Sequence, residues 1–78
     1  MATVVLYSRP GCHLCDEARA VIEAVRAEMA FDLEEIDIES DDALVRDYGL
    51  RIPVVAIDGE DRFEISVGPE ALRAAVRA

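Results

Sequence analysis

The residues best suited to chemistry are two cysteines, Cys12 and Cys15, in the segment Cys12-His13-Leu14-Cys15. This spacing fits one helical turn, so one thiolate can attack a disulfide and the second thiol can then attack the mixed disulfide that forms. The loop between them is too short for a cross-link to add much stability. The pair therefore indicates redox chemistry rather than a structural staple.

The position of the pair matters as much as its spacing. A β-branched apolar run at 3–8 predicts a buried strand, Arg9-Pro10-Gly11 breaks it, and a helical pattern begins at Cys12. A helix start carries unpaired N–H groups and a partial positive charge, so we expect the pKa of the Cys12 thiol to be lowered. Arg9 could support the same thiolate.

The neighbours of the cysteines suggest how the two thiols could differ. Asp16 and Glu17 follow Cys15 directly and should disfavour a second thiolate there. His13 is the only histidine. Either its imidazolium lowers the pKa of Cys12, or it is an exposed side chain tolerated in the first helical turn.

A metal site is the main rival interpretation of the pair. Cys12, His13 and Cys15 offer at most three ligands, whereas a closed zinc site needs about four, usually from two separated clusters. The chain has no second cluster of Cys or His. We therefore predict no metal site within the chain.

The remaining patterns predict the elements that position the pair. A helix from Cys12 has one apolar face, a strand at 31–38 changes phase between Leu33 and Ile36, and a short helix follows Ser40. The phase change indicates a bulge or a strand that starts late. The predicted face of the first helix comprises Leu14, Ala18, Val21, Ile22, Val25 and Met29.

The last third of the chain predicts a hairpin and a closing helix. Strands at 54–57 and 62–67 flank the turn signal Asp58-Gly59. Alternation in the second strand predicts Phe63, Ile65 and Val67 on its buried face. Pro69 then opens a final helix, and the βαβ start of the chain implies parallel strands with a right-handed crossover.

Size and charge restrict the function further. The chain has 78 residues and a net charge of −9, which suits a single domain, residues 1–78, and disfavours binding to nucleic acid or anionic membranes. The first residues lack a basic segment, and their apolar run is too short for a signal peptide. We therefore expect a cytoplasmic protein, in a compartment where thiols are mostly reduced.

Two segments resemble a known family. Leu6-Tyr7-Ser8-Arg9-Pro10-Gly11-Cys12-His13-Leu14-Cys15 is similar to the active-site segment of small glutaredoxin-like proteins, and Arg51-Ile52-Pro53-Val54-Val55 resembles the segment with the cis-proline of the thioredoxin fold. The resemblance implies an α/β, thioredoxin-like fold, β-α-β-α-β-β-α, with a four-stranded mixed sheet. It also implies a thiol–disulfide oxidoreductase in which Cys12 is the nucleophile and Cys15 the resolving thiol.

The resemblance also implies a substrate-binding side. Pro53 would be cis and pack beside the sulfurs, and the backbone of Ile52 would pair with an extended substrate segment. Apart from the resemblance, Arg51 could steer an anionic substrate, support the thiolate or be a solvated side chain. The expected substrate-side residues are Arg9, His13, Leu14, Arg51, Ile52 and Pro53.

The sequence departs from glutaredoxins at two places. His13-Leu14 stands where Pro-Tyr is usual, and Val67-Gly68-Pro69-Glu70-Ala71 replaces a Gly-Gly pair whose N–H groups hold a glutathione carboxylate. Pro69 has no N–H to give, and Glu70 is a like charge. We expect no bound cofactor, a monomer, and either glutathione or a thioredoxin-type reductant as electron donor. The alternative is a non-catalytic module for partner binding or redox sensing.

Overall fold

The protein has the predicted order of strands and helices. The computed structural model describes residues 2–77; Met1 and Ala78, the ends of the predicted domain, lie outside them. The elements are β1 (Thr3–Ser8), α1 (His13–Glu28), β2 (Asp32–Asp37), a 3-10 turn (Ile38–Ser40), α2 (Asp42–Tyr48), β3 (Val54–Ile57), β4 (Glu60–Glu64) and α3 (Pro69–Arg77).

The strands form one mixed four-stranded sheet in the order β2-β1-β3-β4. β1 pairs with β2 in parallel and with β3 antiparallel, and β4 pairs antiparallel with β3. All four residues of β3 are buried, because this strand is central and both its faces are covered. β2 and β4 are the two edges of the sheet.

Helices cover both faces of the sheet. Val4 and Leu6 share the main core cluster with residues of α1 and α3, including Ile22 and Leu72. Tyr7, which faces the other way because side chains alternate along a strand, packs in a second cluster with residues of α2. The second cluster contains Cys15, Ile38 and Ile52, with Tyr7, Cys12, Leu44 and Tyr48 packed against them.

β2 differs in detail from its prediction. It starts at Asp32, one residue later than predicted, and its register with β1 runs without a break from Thr3↔Asp32 to Ser8↔Asp37. The strand therefore starts late and has no bulge. Leu33 contacts the main core cluster, whereas the chain beyond β2 places Ile38 in the second cluster, so the change of phase marks two separate cores.

The hairpin is confirmed at its turn, but β4 lies at Glu60–Glu64, starting two residues and ending three residues before the predicted strand at 62–67. Asp58 and Gly59 both have positive φ, 52° and 85°, as a type I′ turn requires. A register shift between Val55 and Ala56 disturbs the ladder, and β4 ends at Glu64. Ile65, predicted to lie on the buried face, instead has φ 70° and is exposed.

Candidate active site

The cysteine pair lies at the amino end of α1. Cys12 is the N-cap residue, with extended backbone angles, and its sulfur accepts a hydrogen bond from the Cys15 N–H at 3.2 Å. The two sulfurs form a disulfide, with the Cα atoms 5.2 Å apart. Cys12 is partly exposed and Cys15 is fully buried, so only Cys12 presents its sulfur to solvent.

The residues between and after the cysteines face solvent. His13 and Leu14 are exposed, and Leu14, predicted on the buried helix face, is 44% exposed. The prediction for Leu14 is wrong, because the residue lines a surface groove and belongs to neither core cluster. Asp16 forms an ion pair with Arg19 at 2.8 Å, which weakens the effect its charge was expected to have on Cys15.

Arg9 lies in a polar cavity of about 370 Å³ beside the end of β1. The lining includes Arg9 but neither cysteine, and the expected support of the Cys12 thiolate by Arg9 stays a prediction. The lining residues are Ser8, Arg9, Pro10, Gly11, Asp16, Arg19, Glu35 and Asp37.

A charged network that the sequence did not reveal crosses this cavity. Arg19 donates from Nε to Oε1 of Glu35 at 2.7 Å and from Nη2 to Oε2, and the hydroxyl of buried Ser8 donates to Oε2 at 2.7 Å. The hydrogen bonds from Arg19 lower the pKa of Glu35, and that from Ser8 adds to the effect against partial desolvation. The network joins α1 to the end of β1 and to β2.

The segment before β3 lies against the cysteines. Ile52 belongs to the same buried cluster as Cys15, Pro53 is buried, and the Ile52–Pro53 peptide bond is cis, as the resemblance implies. The Ile52 N–H, however, donates to the Tyr48 carbonyl at 3.1 Å. Backbone pairing with a substrate at Ile52 would therefore have to use its carbonyl, because its N–H is already engaged.

Arg51 is a partly exposed cation that two carboxylates of the same chain contact. Its guanidinium contacts Asp61 at 3.2 Å and Glu64 at 3.3 Å, and it lies 4.9 Å from the ring centroid of Tyr48. Tyr48 in turn stacks on Tyr7, with centroids 4.2 Å apart. Arg51 Nε is buried without a hydrogen-bond partner. These contacts hold the guanidinium against its own chain, and a role for Arg51 toward a substrate stays a prediction.

A groove on the other side of α1 was not foreseen from the sequence. It has a volume of about 250 Å³ and includes Leu14, from between the two cysteines, together with Ile65 and Val67. The alternating pattern at 62–67 predicted Ile65 inside the core and so concealed it. The full lining is Leu14, Glu17, Ala18, Val21, Ile65, Ser66 and Val67.

Two further observations concern metals and membranes. Across residues 2–77, no three His, Cys, Asp or Glu side chains converge as a metal site. Within the same range, none of the helices has the length and apolar character needed to cross a bilayer.

A mixed sheet with a cysteine pair at the start of the first helix and a cis-proline before β3 defines a thioredoxin-fold protein of the glutaredoxin-like class. The comparisons with known proteins agree. Residues 3–77 match the family described as "Glutaredoxin-like domain (DUF836)", and the chain belongs to this family.

Relatives and solved structures extend the similarity over nearly the whole chain. An uncharacterized protein of Mycobacterium tuberculosis is 30% identical over 76 residues, covering 91% of this chain and 78% of the relative. A structural-genomics target protein from X. campestris has a TM-score of 0.80 at 32% identity, covering 95% of each chain. A mutant thioredoxin from Halobacterium salinarum has a TM-score of 0.72 at 22% identity, covering 97% of this chain and 72% of that one, which shows the shared fold.

Proposed function

We propose that the protein is a thiol–disulfide oxidoreductase in which Cys12 is the attacking thiolate and Cys15 the resolving thiol. The observation that carries the proposal is the asymmetry of the pair. Cys12 caps α1, its sulfur accepts a hydrogen bond from the Cys15 N–H, and it is partly exposed. Cys15 is fully buried one turn further on.

This asymmetry gives the two thiols different roles. The positive end of a 16-residue helix and a hydrogen bond to sulfur favour the anionic form of Cys12. Burial disfavours the anionic form of Cys15. In the reduced protein, Cys12 would therefore be the reactive thiolate and Cys15 would keep its proton until a mixed disulfide brings a leaving group within reach.

The reaction would proceed in two exchanges. The Cys12 thiolate attacks one sulfur of the substrate disulfide, the substrate S–S bond breaks and the first substrate thiolate leaves. Cys15 then loses its proton and attacks the Cys12 sulfur, which releases the second substrate thiolate. The substrate gains two electrons, and the Cys12–Cys15 pair ends as the disulfide.

A thiol reductant would return the pair to its reduced form. Either glutathione or a thioredoxin-type protein could supply the electrons, since the pair itself needs no bound cofactor. The substrates would be disulfides of proteins or small thiols, handled by a cytoplasmic monomer without contact to nucleic acid or membrane. The high acidity of the chain supports the last point.

The decisive experiment compares Cys12→Ser, Cys15→Ser and, as a control on the exposed face of α1, Ala24→Ser. Turnover is followed as NADPH consumption, once with glutathione and glutathione reductase and once with thioredoxin and thioredoxin reductase. Cys12→Ser should abolish turnover, Cys15→Ser should accumulate a mixed disulfide detectable by mass, and Ala24→Ser should match the parent.

The assay also tests the alternative, a non-catalytic binding or redox-sensing module. A parent protein that consumes no NADPH with either reductant would refute the oxidoreductase proposal and favour the module. In the reduced protein, alkylation should be faster at Cys12 than at Cys15 at neutral pH. Equal rates would remove the physical basis of the assigned roles.

A further inference from the structure

Ile65 has an unusual backbone conformation for a β-branched residue. Its φ is 70°, in the left-handed region where glycine is favoured and β-branched side chains are rare. Its N–H is held by two carbonyls, Pro53 at 2.8 Å and Arg51 at 3.2 Å. Burial of apolar surface does not offset the energetic cost of this conformation, because Ile65 is 45% exposed.

Ile65 shares a surface groove with a residue of the cysteine segment. Ile65 and Leu14 line the same groove, and Leu14 is one of the two residues between Cys12 and Cys15. A volume of about 250 Å³ is below the range of about 300–1,000 Å³ typical of small-molecule pockets. The groove therefore suits one or two side chains of a polypeptide rather than a whole small molecule.

The charge of the groove indicates the chemistry of its occupant. Glu17 lines it, and none of the ion pairs formed within residues 2–77 involves Glu17. The guanidinium of Arg51, which belongs to the neighbouring segment, is occupied by Asp61 and Glu64. With a net charge of −9 on the chain, the groove favours a cationic partner and repels an anionic one.

We propose that Ile65 and Leu14 form a specificity site for polypeptide disulfides in which an aliphatic and a cationic side chain flank the target cysteine. This inference rests on the proposed oxidoreductase function and adds the substrate class. The strained Ile65 is then explained by recognition, because glycine would relax the backbone but remove the aliphatic surface. Glutathione, with two carboxylates and no aliphatic side chain, fits this site poorly.

The test uses the reduced full chain and symmetrical peptide disulfides as probes. One pair of peptides has Leu-Cys-Arg and Arg-Cys-Leu cores, and the comparison peptide has a Ser-Cys-Glu core. Single-turnover rates are measured with excess protein by acid quenching and chromatography, and oxidised glutathione is measured in the same way. The parent protein should reduce at least one Leu/Arg disulfide about tenfold faster than the Ser/Glu disulfide, the smallest discrimination usual for an apolar pocket.

Variants connect this preference to the groove. Ile65→Gly should remove most of the ratio between the Leu/Arg and Ser/Glu rates, and Glu17→Gln should reduce the part that depends on arginine. Val45→Ser, which changes an exposed apolar residue of α2 outside the groove, should keep the parent ratio. The denaturation midpoint of Ile65→Gly should equal or exceed that of the parent, because glycine relieves the strained φ.

The outcomes separate the two proposals. A parent protein that reduces none of the disulfides refutes the oxidoreductase function itself. Three results would overturn the specificity site alone. They are equal rates for all peptide disulfides, reduction of oxidised glutathione as fast as the best peptide disulfide, and an unchanged ratio of Leu/Arg to Ser/Glu rates in Ile65→Gly. A lower denaturation midpoint in Ile65→Gly would also overturn it, because it would give the residue a structural role. If the reduced parent protein is a dimer and Ile65→Gly is a monomer, the groove is an interface with a second copy of the chain, and the specificity site is likewise overturned.

Discussion

Glu35 should stabilise the fold through its two donors, and its removal gives a sharp test of the network beside the cysteine loop. The change is Glu35→Gln, which keeps the shape and removes the charge. In the parent protein both carboxylate oxygens are engaged, by Arg19 from α1 and by Ser8 from the end of β1. The variant amide has one oxygen to offer, so its N–H₂ group faces either Arg19 Nε alone or both Arg19 Nη2 and Ser8.

The expected loss follows from the exposure of the partners. The side chains of Arg19 and Glu35 are 33% and 36% exposed, so solvent screening holds their ion pair to about 0.2–1 kcal/mol, with the two-pronged geometry near the upper end. The hydrogen bond from buried Ser8 to a charged group contributes about 1.5–3 kcal/mol. Because the amide oxygen still accepts one or two of the three hydrogen bonds, we expect Glu35→Gln to lower the free energy of unfolding by about 1–2 kcal/mol.

The effect should depend on pH with a definite sign. The folded pKa of Glu35 is lowered, mainly by Arg19, so its contribution is complete above the unfolded value of about 4.3 and is lost as pH falls through the folded pKa. Urea denaturation followed by circular dichroism should show the full difference in unfolding free energy between the parent and Glu35→Gln at about pH 7, and a smaller difference at about pH 3. Glu34→Gln on the same strand is the matched control and should match the parent.

Two results would refute this reasoning. Equal stability of Glu35→Gln and the parent at neutral pH would mean that the network contributes nothing net. A deficit that persists unchanged in acid would mean that the lost stability does not come from the ionised carboxylate.

Three other changes test separate features. Ile22→Ala removes a fully buried side chain from the main core and should cost about 2–5 kcal/mol in urea denaturation; a cost below about 1 kcal/mol would contradict the tight packing. Asp41→Ala removes the α2 cap, whose side chain accepts from the Ala43 N–H at 2.8 Å, and should lower the free energy of unfolding by about 1 kcal/mol, whereas Asp41→Asn should retain most of it. Burial raises the pKa of Tyr48, so Tyr48→Phe should remove the part of the alkaline absorbance titration above the ordinary tyrosine range, and an unchanged titration curve would contradict it.

The order of elements was predictable because each carries a local signal. The helix of the cysteines begins where an apolar strand is broken by Arg9-Pro10-Gly11 and a 3.6-residue period follows. The hairpin turn was predicted from Asp58-Gly59, since both positions must adopt positive φ. These signals depend on neighbouring residues alone, so tertiary contacts elsewhere in the chain do not change them.

The errors arise where tertiary context decides. Alternation at 62–67 predicted one long strand, yet the hydrogen bonds from Ile65 to Arg51 and Pro53 bend the chain after Glu64. Leu14 obeys the helical period but lines a surface groove instead of joining the core. The periodicity of apolar residues predicts neither a long-range hydrogen bond nor which position of a helix face stays exposed.

The candidate site was predictable in its centre and not in its surroundings. Spacing and helix-start placement were enough to single out Cys12 and Cys15. The partners of Arg51 could not be foreseen, because Asp61 and Glu64 reach it only after the hairpin folds back. The same holds for Glu35, whose donors come from two other elements.

The acidity of β2 has a consequence for how copies of the protein meet. β2 is an edge strand, and it carries four carboxylates, Asp32, Glu34, Glu35 and Asp37, of which Glu35 alone forms an ion pair within residues 2–77. An open edge invites a neighbouring chain to continue the sheet, and charges along it oppose that. Two copies approaching β2 to β2 would bring rows of negative charge together, which protects a concentrated solution of this small protein from aggregating through that edge.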